Sequence, residues 1–553
     1  MGAMSGKSYS SVLSRVLVWL VPLLATLLLG GYGIGRAQLW RDELATWSAA
    51  TRPIGDLLRL TRTIDAASGP YYLSVHAWTG LAGDSEAALR LPSVLAMAAA
   101  AGLTAVLGRR LFGSAAGLLA GLLFAVLPGT SRYAQEARPY ALVTLLAVLA
   151  TVLLVRALDR PGRWRWAGYA AAVAGLGLAH LLALGLVAAH AVAVLTGRPA
   201  ADPARPGGTA EPGQPGGGTP GGRWRDRRSA GWALAVLVAA LLLTPLLVTA
   251  AGQRSHQLDW IAPARPADLA ALPGGLAQSG VVGGMLVGLA ALGAARAGRR
   301  GLLPGAGALL PVLLLFVAAL AVPLWVPRYL FFTVPFGCLL AGAALAGPTP
   351  AARPSPGPPG PLRPTPGPPG PPPGPVPTGP PPTGWRPAAG AGLAVVALAG
   401  LLGLPDQAAV RHGHGWPRSA TVDYRGAAAV IAAGQRPGDA VVYAPRDGWL
   451  FLDLGVDYHL ARTAGDPAGG VHPRDVLVTE GRRERADLWV GECARPAECL
   501  AGVDRVWLVV AGRRDDPLAA VPGARGEALR AGFSVDEVRP RPGVTVALLV
   551  RRG

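Results

Sequence analysis

The chain has 553 residues, 51% of them hydrophobic and only 15% charged, with a mean hydropathy of +0.38. That balance excludes an ordinary soluble protein and indicates one that crosses a membrane several times. The formal net charge of +19 does not mean nucleic acid, because the basic residues are nearly all arginines in short clusters between apolar runs, not gathered on one soluble face.

The first apolar run, Val12 to Gly31, is long enough to span and is followed by no small-residue cleavage site, so it reads as a signal anchor with a cytoplasmic N-terminus. Apolar runs predict eleven spans near 12–34, 88–107, 114–129, 138–156, 167–180, 181–196, 230–251, 278–296, 303–324, 328–346 and 389–404. The fifth and sixth form one run, too long for a single perpendicular helix, and read as a hairpin turning near His180. Arginine clusters at Arg109-Arg110, Arg160/Arg163/Arg165, Arg223/Arg225/Arg227/Arg228 and Arg299-Arg300 follow spans two, four, six and eight. The positive-inside rule makes those loops cytoplasmic and the C-terminus extracytoplasmic. The outward loops are then 35–87, 130–137, 252–277 and the turn from Trp325 to Arg328.

Two segments lack the apolar content to order: 199–222, a flexible cytoplasmic loop, and the Pro/Gly-rich cytoplasmic linker 347–388. Beyond the last span, 405–553 alternates helix and strand patterns. DYRGAAAVIAAG and GARGEALRAGF predict helices, while DAVVYAP, RADLWVGE, RVWLVVAG and VTVALLVRR predict strands. A small α/β domain with a largely parallel sheet follows. It carries no glycine-rich nucleotide motif. Cys493 and Cys499 of this region are disulfide candidates if it is extracytoplasmic, whereas Cys338 lies in an apolar run. HGHGWPR at 412–418 reads as a polar linker in preference to a metal tract.

The costliest feature is the acidic pair Asp42-Glu43 in RDELATWSAA, at the mouth of the first span. Carboxylates there need water, a cation or a substrate, which makes them functional candidates. The same loop carries Asp56, Asp65, the amphipathic stretch IGDLLRLTRTI, SGPYYLSVHAW and SEAALRLPSVLA, and reads as a structured cap. The second outward loop, SRYAQEARPYAL, sets Glu136 between Arg132 and Arg138, with Tyr133 and Tyr140 nearby. Acid beside arginine in two outward loops suits joint binding of a lipid-linked phosphate and a hydroxyl acceptor.

The order of RDELATW, GPYYLSVHAW, SEAALRLPSVLA, SRYAQEARPYAL and PRYLFFTVP resembles the polyprenyl-phosphate-dependent GT-C glycosyltransferases. Within these it is most similar to the bacterial members of the family 39 group, which includes protein O-mannosyltransferases and the aminoarabinose transferases of lipid A. The likeness covers roughly 12–346. It implies that Asp42 acts on the acceptor hydroxyl as general base, with Glu43 as its partner. It further implies that Glu136 helps hold the acceptor or a divalent metal cation, and that Arg328 and Tyr329 lie near the donor phosphate with Arg138 and Arg132. Tyr71 and His76 fall where relatives read HPPLYYLLLH; here Ser68-Gly69 replaces the leading His-Pro, so that histidine has no counterpart.

The reading is a multi-span α-helical plasma-membrane protein with a GT-C-type core over 1–346, a last span at 389–404 and an extracytoplasmic α/β domain over 405–553. Its expected activity is inverting transfer of a mannose-like hexose or a pentose from a polyprenyl-phosphate carrier to an extracytoplasmic glycan, lipid or protein, with no nucleic acid involved. A transporter or flippase of lipid-linked sugars is the competing class, predicting interrupted helices and midplane polar residues. A non-catalytic sensor ranks third, since the α/β domain shows no recognisable site.

Overall fold

A computed structural model describes residues 6–196, 220–253, 261–347, 385–412, 421–446, 448–463 and 472–553. The flexible loop, the Pro/Gly-rich linker and the HGHGWPR tract fall almost wholly outside the described residues. The membrane region runs α1 (Gly6–Gly31), α2 (Arg41–Ala50), α3 (Ile54–Thr63), α4 (Gly69–Ala82), α5 (Glu86–Phe112), α6 (Ser114–Val126), α7 (Pro128–Ala134), α8 (Tyr140–Asp159), α9 (Arg163–Ala179), α10 (Leu186–Leu195) and α11 (Pro220–Gly252). It continues through Pro266–Ala277, Gly280–Ala297, Leu302–Ala319, Val334–Leu345 and Trp385–Leu402.

Each of the expected spans is helical over most of its length. By length and apolar composition, six helices among the described residues can cross a membrane, or seven if a bent pair counts as one span. One of the six is the 40-residue stretch Gly280–Ala319. At 1.5 Å per residue it measures roughly 60 Å, twice a hydrocarbon core, and Gly298–Gly301 interrupts it as a short 3-10 turn. The protein is integral to the membrane.

Two expectations change here. The third span does not run straight to 129: α6 and α7 meet at 66°. Pro128 disfavours a helical Leu127, which sits extended at φ −62°, ψ 130°, so the chain turns inward and buries every residue of α7. The expected outward loop 252–277 contains the helix Pro266–Ala277, started by Pro266 and by the Asp268 carboxylate accepting from the Arg265 N–H at 2.8 Å.

Tight pairing of α5 with α6 rests on small residues. A Cβ on Gly117 would sit 2.4 Å from the Ala105 carbonyl oxygen, so the backbones meet only because the side chain is absent. The first long loop folds as α2, α3 and α4, the structured cap expected of it.

The C-terminal domain has a five-stranded sheet in the order β2-β1-β5-β7-β6, from β1 (Ala440–Ala444), β2 (Arg474–Asp475), β5 (Arg505–Ala511), β6 (Phe533–Arg541) and β7 (Val544–Arg551). A two-stranded ribbon joins β3 (Val478–Glu480) to β4 (Gly491–Glu492). The sheet is mixed and not largely parallel: β1 pairs in parallel with β2 and β5, but β7 runs antiparallel to β5 and β6. RADLWVGE is mostly turn, with only its end in β4. The N–H groups of Arg485, Ala486 and Asp487 donate to the nearby carbonyls of Gly481, Arg483 and Arg482, closing turns in place of a ladder. The domain does not stand apart: Leu44, Leu57, Tyr72 and Leu89 share one buried core with Tyr424, Val441, Trp507 and Val546.

Candidate active site

A buried ion pair fixes the cap to the membrane helices. Glu43 and Arg90, in α2 and α5, are both fully buried. Arg90 donates through Nε to Glu43 Oε1 at 2.8 Å and through Nη2 to Oε2 at 2.6 Å. Its remaining N–H groups go to the carbonyls of Ile34, Ala37 and Gln38. Glu43 also accepts from the N–H groups of Ala137 at 2.8 Å and Trp40 at 3.3 Å. One carboxylate thereby ties the first two predicted outward loops together, and a charged pair this deep holds only because its hydrogen bonds are so nearly satisfied.

One residue earlier on α2, the helical turn of 100° sends Asp42 another way. It lines a cavity of about 260 Å³. Asp42 Oδ2 lies 3.3 Å from Arg328 Nη2, and Oδ1 lies 3.6 Å from Arg41 Nε. Arg328 also donates to the Tyr140 hydroxyl at 3.0 Å and sits over the rings of Trp40 and Tyr329, 5.7 Å from each centroid. Arg138 lines the same space and reaches Thr46 Oγ1 at 3.5 Å.

Asp65, in a left-handed conformation before α4, and His180, at the end of α9, complete the polar wall. Ser68 donates to Asp65 at 2.8 Å and the Tyr72 hydroxyl donates to its other oxygen. Burial raises the Asp65 carboxyl, against the pull of Arg138 and of Tyr72. The His180 ring packs against those of Tyr329 and Tyr140, with centroids 4.6 Å and 6.4 Å away. The rest of the lining is apolar: Leu181, Leu182 and Leu324 from the membrane region, and Trp449, Phe451 and Leu488 from the C-terminal domain.

Asp42, Arg138, Arg328 and Tyr329 therefore come together at one cavity. The other candidates do not line it. Glu43 cannot take a substrate proton, being saturated by Arg90 and backbone N–H groups. Glu136 is fully buried behind the cavity, 3.9 Å from Arg132 Nε, and neither of its oxygens has a hydrogen-bond partner among the described residues. Burial pushes the Glu136 carboxyl up to about 7, against Arg132. Arg132 turns to Gln278 Oε1 at 2.8 Å. Tyr71 is buried in the cap core, and His76 meets the Ala50 carbonyl with Nδ1 at 2.8 Å, pinning α4 to the end of α2. Cys493 and Cys499 form a disulfide in the C-terminal domain and are not part of the cavity lining.

Sequence reasoning passed over Arg90, named Asp65 only as part of the first outward loop and read His180 as a turn residue. Arg90 was findable, because an arginine inside the otherwise apolar run after SEAAL is too costly without a partner. No signal in the sequence marked Trp449 or Phe451. Among the described residues, no three His, Cys, Asp or Glu are grouped so as to hold a metal ion. Asp42 and Asp65 are the cavity's carboxylates, and arginine or hydroxyl partners already engage them, so the donor set does not fit a resident cation.

Residues 70–202 match the family model of the dolichyl-phosphate-mannose-protein mannosyltransferases. Over nearly its whole length the fold superposes on the crystal structure of ArnT from Cupriavidus metallidurans in the apo state, with a TM-score of 0.56, 16% identity and 98% of each chain covered. The chain has a GT-C-type fold. ArnT from the same organism bound to undecaprenyl phosphate is similar in like measure, with a TM-score of 0.55 and 15% identity over 96% of this chain and 98% of that one. No curated protein matches. The GT-C-type region matched by the family model runs from α4 past α10, so it takes in Arg132, Glu136, Arg138 and His180 and begins after Asp42. Family match and fold agree with the class that the motif order resembles.

Proposed function

We propose that this protein moves a sugar from a polyprenyl-phosphate carrier to an acceptor hydroxyl on the outer face of the plasma membrane, with inversion. The observation that carries the reading is one cavity in which Asp42 faces Arg328 and Arg138, bordered by Leu181, Leu182 and Leu324 from the turns that join the membrane helices. The apolar border suits a prenyl chain. The donor is a phosphodiester; breaking its anomeric C–O bond leaves a polyprenyl phosphate monoester that carries an added negative charge. Arg328 and Arg138 supply that stabilisation, and Tyr140 orients Arg328 through its hydroxyl. The acceptor oxygen attacks the opposite face of the anomeric carbon while its proton passes to an Asp42 carboxylate oxygen, which gives inversion in one displacement. Glu43 acts as a positioning residue that sets the pitch of α2.

The contact between Asp42 and Arg328 adds an order to the events. A donor phosphate competes for Arg328, loosening its hold on Asp42 so that the carboxylate is available as a base once the donor is seated. The sugar is a mannose-like hexose or a pentose, and the C-terminal domain lies on the acceptor side.

Membranes holding wild type or Asp42→Asn, given radiolabelled polyprenyl-phosphate sugars, test the reading. The variant should lose transfer roughly a hundred- to ten-thousand-fold, the share of a general base, while binding undecaprenyl phosphate at least as tightly as wild type, since Arg328 no longer has a carboxylate partner. Wild-type turnover by a well-expressed Asp42→Asn protein would sink the mechanism. A transporter of lipid-linked sugars is the second reading, favoured by the broken helix at Leu127; it predicts that label crosses the membrane with its carrier bond intact.

A further inference from the structure

The two halves of the cavity are unlike. One is charged and comes from the membrane helices and their loops: Asp42, Arg138 and Arg328. The other comes from the C-terminal domain and is aromatic: Trp449 and Phe451, with Leu488 beside them. We propose that Trp449, backed by Phe451 and Trp489, is the acceptor subsite and takes the face of a sugar ring, so that the acceptor is a glycan. This inference rests on the transferase reading above and names the substrate that reading leaves open.

The aromatic wall is built, not incidental. Trp489 stacks on Phe451 with centroids 5.4 Å apart and planes 27° apart. Trp449 stands edge-on to both, at 4.8 Å and 81° from Trp489 and at 6.1 Å and 86° from Phe451. Packed this way, the indole is held in one orientation. Phe451 has φ 49°, a left-handed conformation that a bulky side chain avoids and that persists only where its surroundings impose it.

Those surroundings are on both sides of the segment. The Tyr424 hydroxyl donates to the Leu450 carbonyl. Arg446, almost fully buried, pairs with Asp453 at 3.4 Å, with Asp475 at 2.6 Å and with Glu492 at 2.7 Å. Arg482 joins Asp453 and donates to the Leu488 carbonyl at 3.2 Å, which places the second strip of the wall.

Location and chemistry then choose the occupant. Leu181, Leu182 and Leu324, on the membrane side, suit the donor's prenyl chain and leave the aromatic wall for the other substrate. A sugar ring stacks its C–H face on an indole while its hydroxyls point to the charged half, where Asp42 waits for one proton.

Full-length protein in nanodiscs, observed by saturation-transfer NMR with mannan-, arabinan- and galactan-derived oligosaccharides and with a Ser/Thr-rich peptide as a fourth probe, tests this. At least one oligosaccharide should bind. Trp449→Ala should weaken it about tenfold, the scale of one lost aromatic partner, Trp449→Phe should recover most of it, and both variants should bind undecaprenyl phosphate as wild type does, which reports an intact fold. Binding of the peptide alone, of no oligosaccharide by a protein that takes undecaprenyl phosphate, or of sugar unchanged in Trp449→Ala would overturn the proposal. Failure of the transferase reading looks different: glycan binds through Trp449, yet no label leaves any polyprenyl-phosphate sugar.

Discussion

Neighbouring acids on one short helix have separate fates. Asp42 and Glu43 are adjacent in sequence, and a charge-cost argument flags both, but only the direction each side chain takes from α2 tells the one that lines the cavity from the one locked in the buried ion pair. Glu43 meets Arg90 and three loop carbonyls lie around that guanidinium; Asp42 meets Arg328 at the cavity. Glu136 makes the point with pH. Its carboxyl, ordinarily near 4.5, is pushed up to about 7 by burial, so the folded state keeps a proton that the unfolded state releases. The stability this lends is fully present below the ordinary value and is lost as pH rises through 7. Glu136→Gln, always neutral, should therefore gain thermal stability relative to wild type between about pH 5 and pH 8. A difference between the two proteins that stays constant over that window, measured by melting in detergent, would show the carboxyl ionised throughout.

At the scale of elements, the apolar runs were legible because a span needs about 20 apolar residues in a row, and the register of each run survives in the structure. What periodicity missed depends on partners distant in sequence. The bend at Leu127 was readable in principle from Pro128, but how far the following residues sink was not. Strand β6 was invisible because FSVDEVRPR is a charged edge strand with little burial, and RADLWVGE misled because its apolar residues fill a wall and not a ladder. Helix pairing gives an element-scale prediction. Gly117→Val puts branched carbon where the Ala105 carbonyl of α5 lies 2.4 Å from even a bare Cβ, and α5 and α6 must part. The expected outcome is loss of monodisperse protein on size exclusion in detergent, with Gly113→Ala unsuitable as a control because Gly113 has φ 101° and Gly168→Ala, in open space, the proper one.

For the whole molecule, the C-terminal region reads in sequence as an appended domain, and nothing in its pattern shows that it supplies part of the cavity. That role comes from packing: Gln38 holds the Val422 carbonyl at 2.9 Å, Arg425 pairs with Glu86 at 3.0 Å and Arg52 donates to the Asp487 carbonyl at 2.7 Å. Its side of the membrane can be tested directly. In intact cells an impermeant reductant followed by an impermeant maleimide should label Cys493 and Cys499, with no signal in the double serine variant and none from buried Cys338. Labelling that needs permeabilised cells would place the domain in the cytoplasm.

The shared core has a consequence for how the protein is made. Leu44, Leu57, Tyr72 and Leu89 leave the ribosome long before Tyr424, Val441 and Val546, the residues that bury them. At cellular rates of synthesis the interval is on the order of tens of seconds. Through it, the cap helices stand with an apolar face bare beside the bilayer, so they call for a chaperone or for lipid to shelter them. The cavity likewise lacks one side of its lining until Trp449, Phe451 and Leu488 have been made.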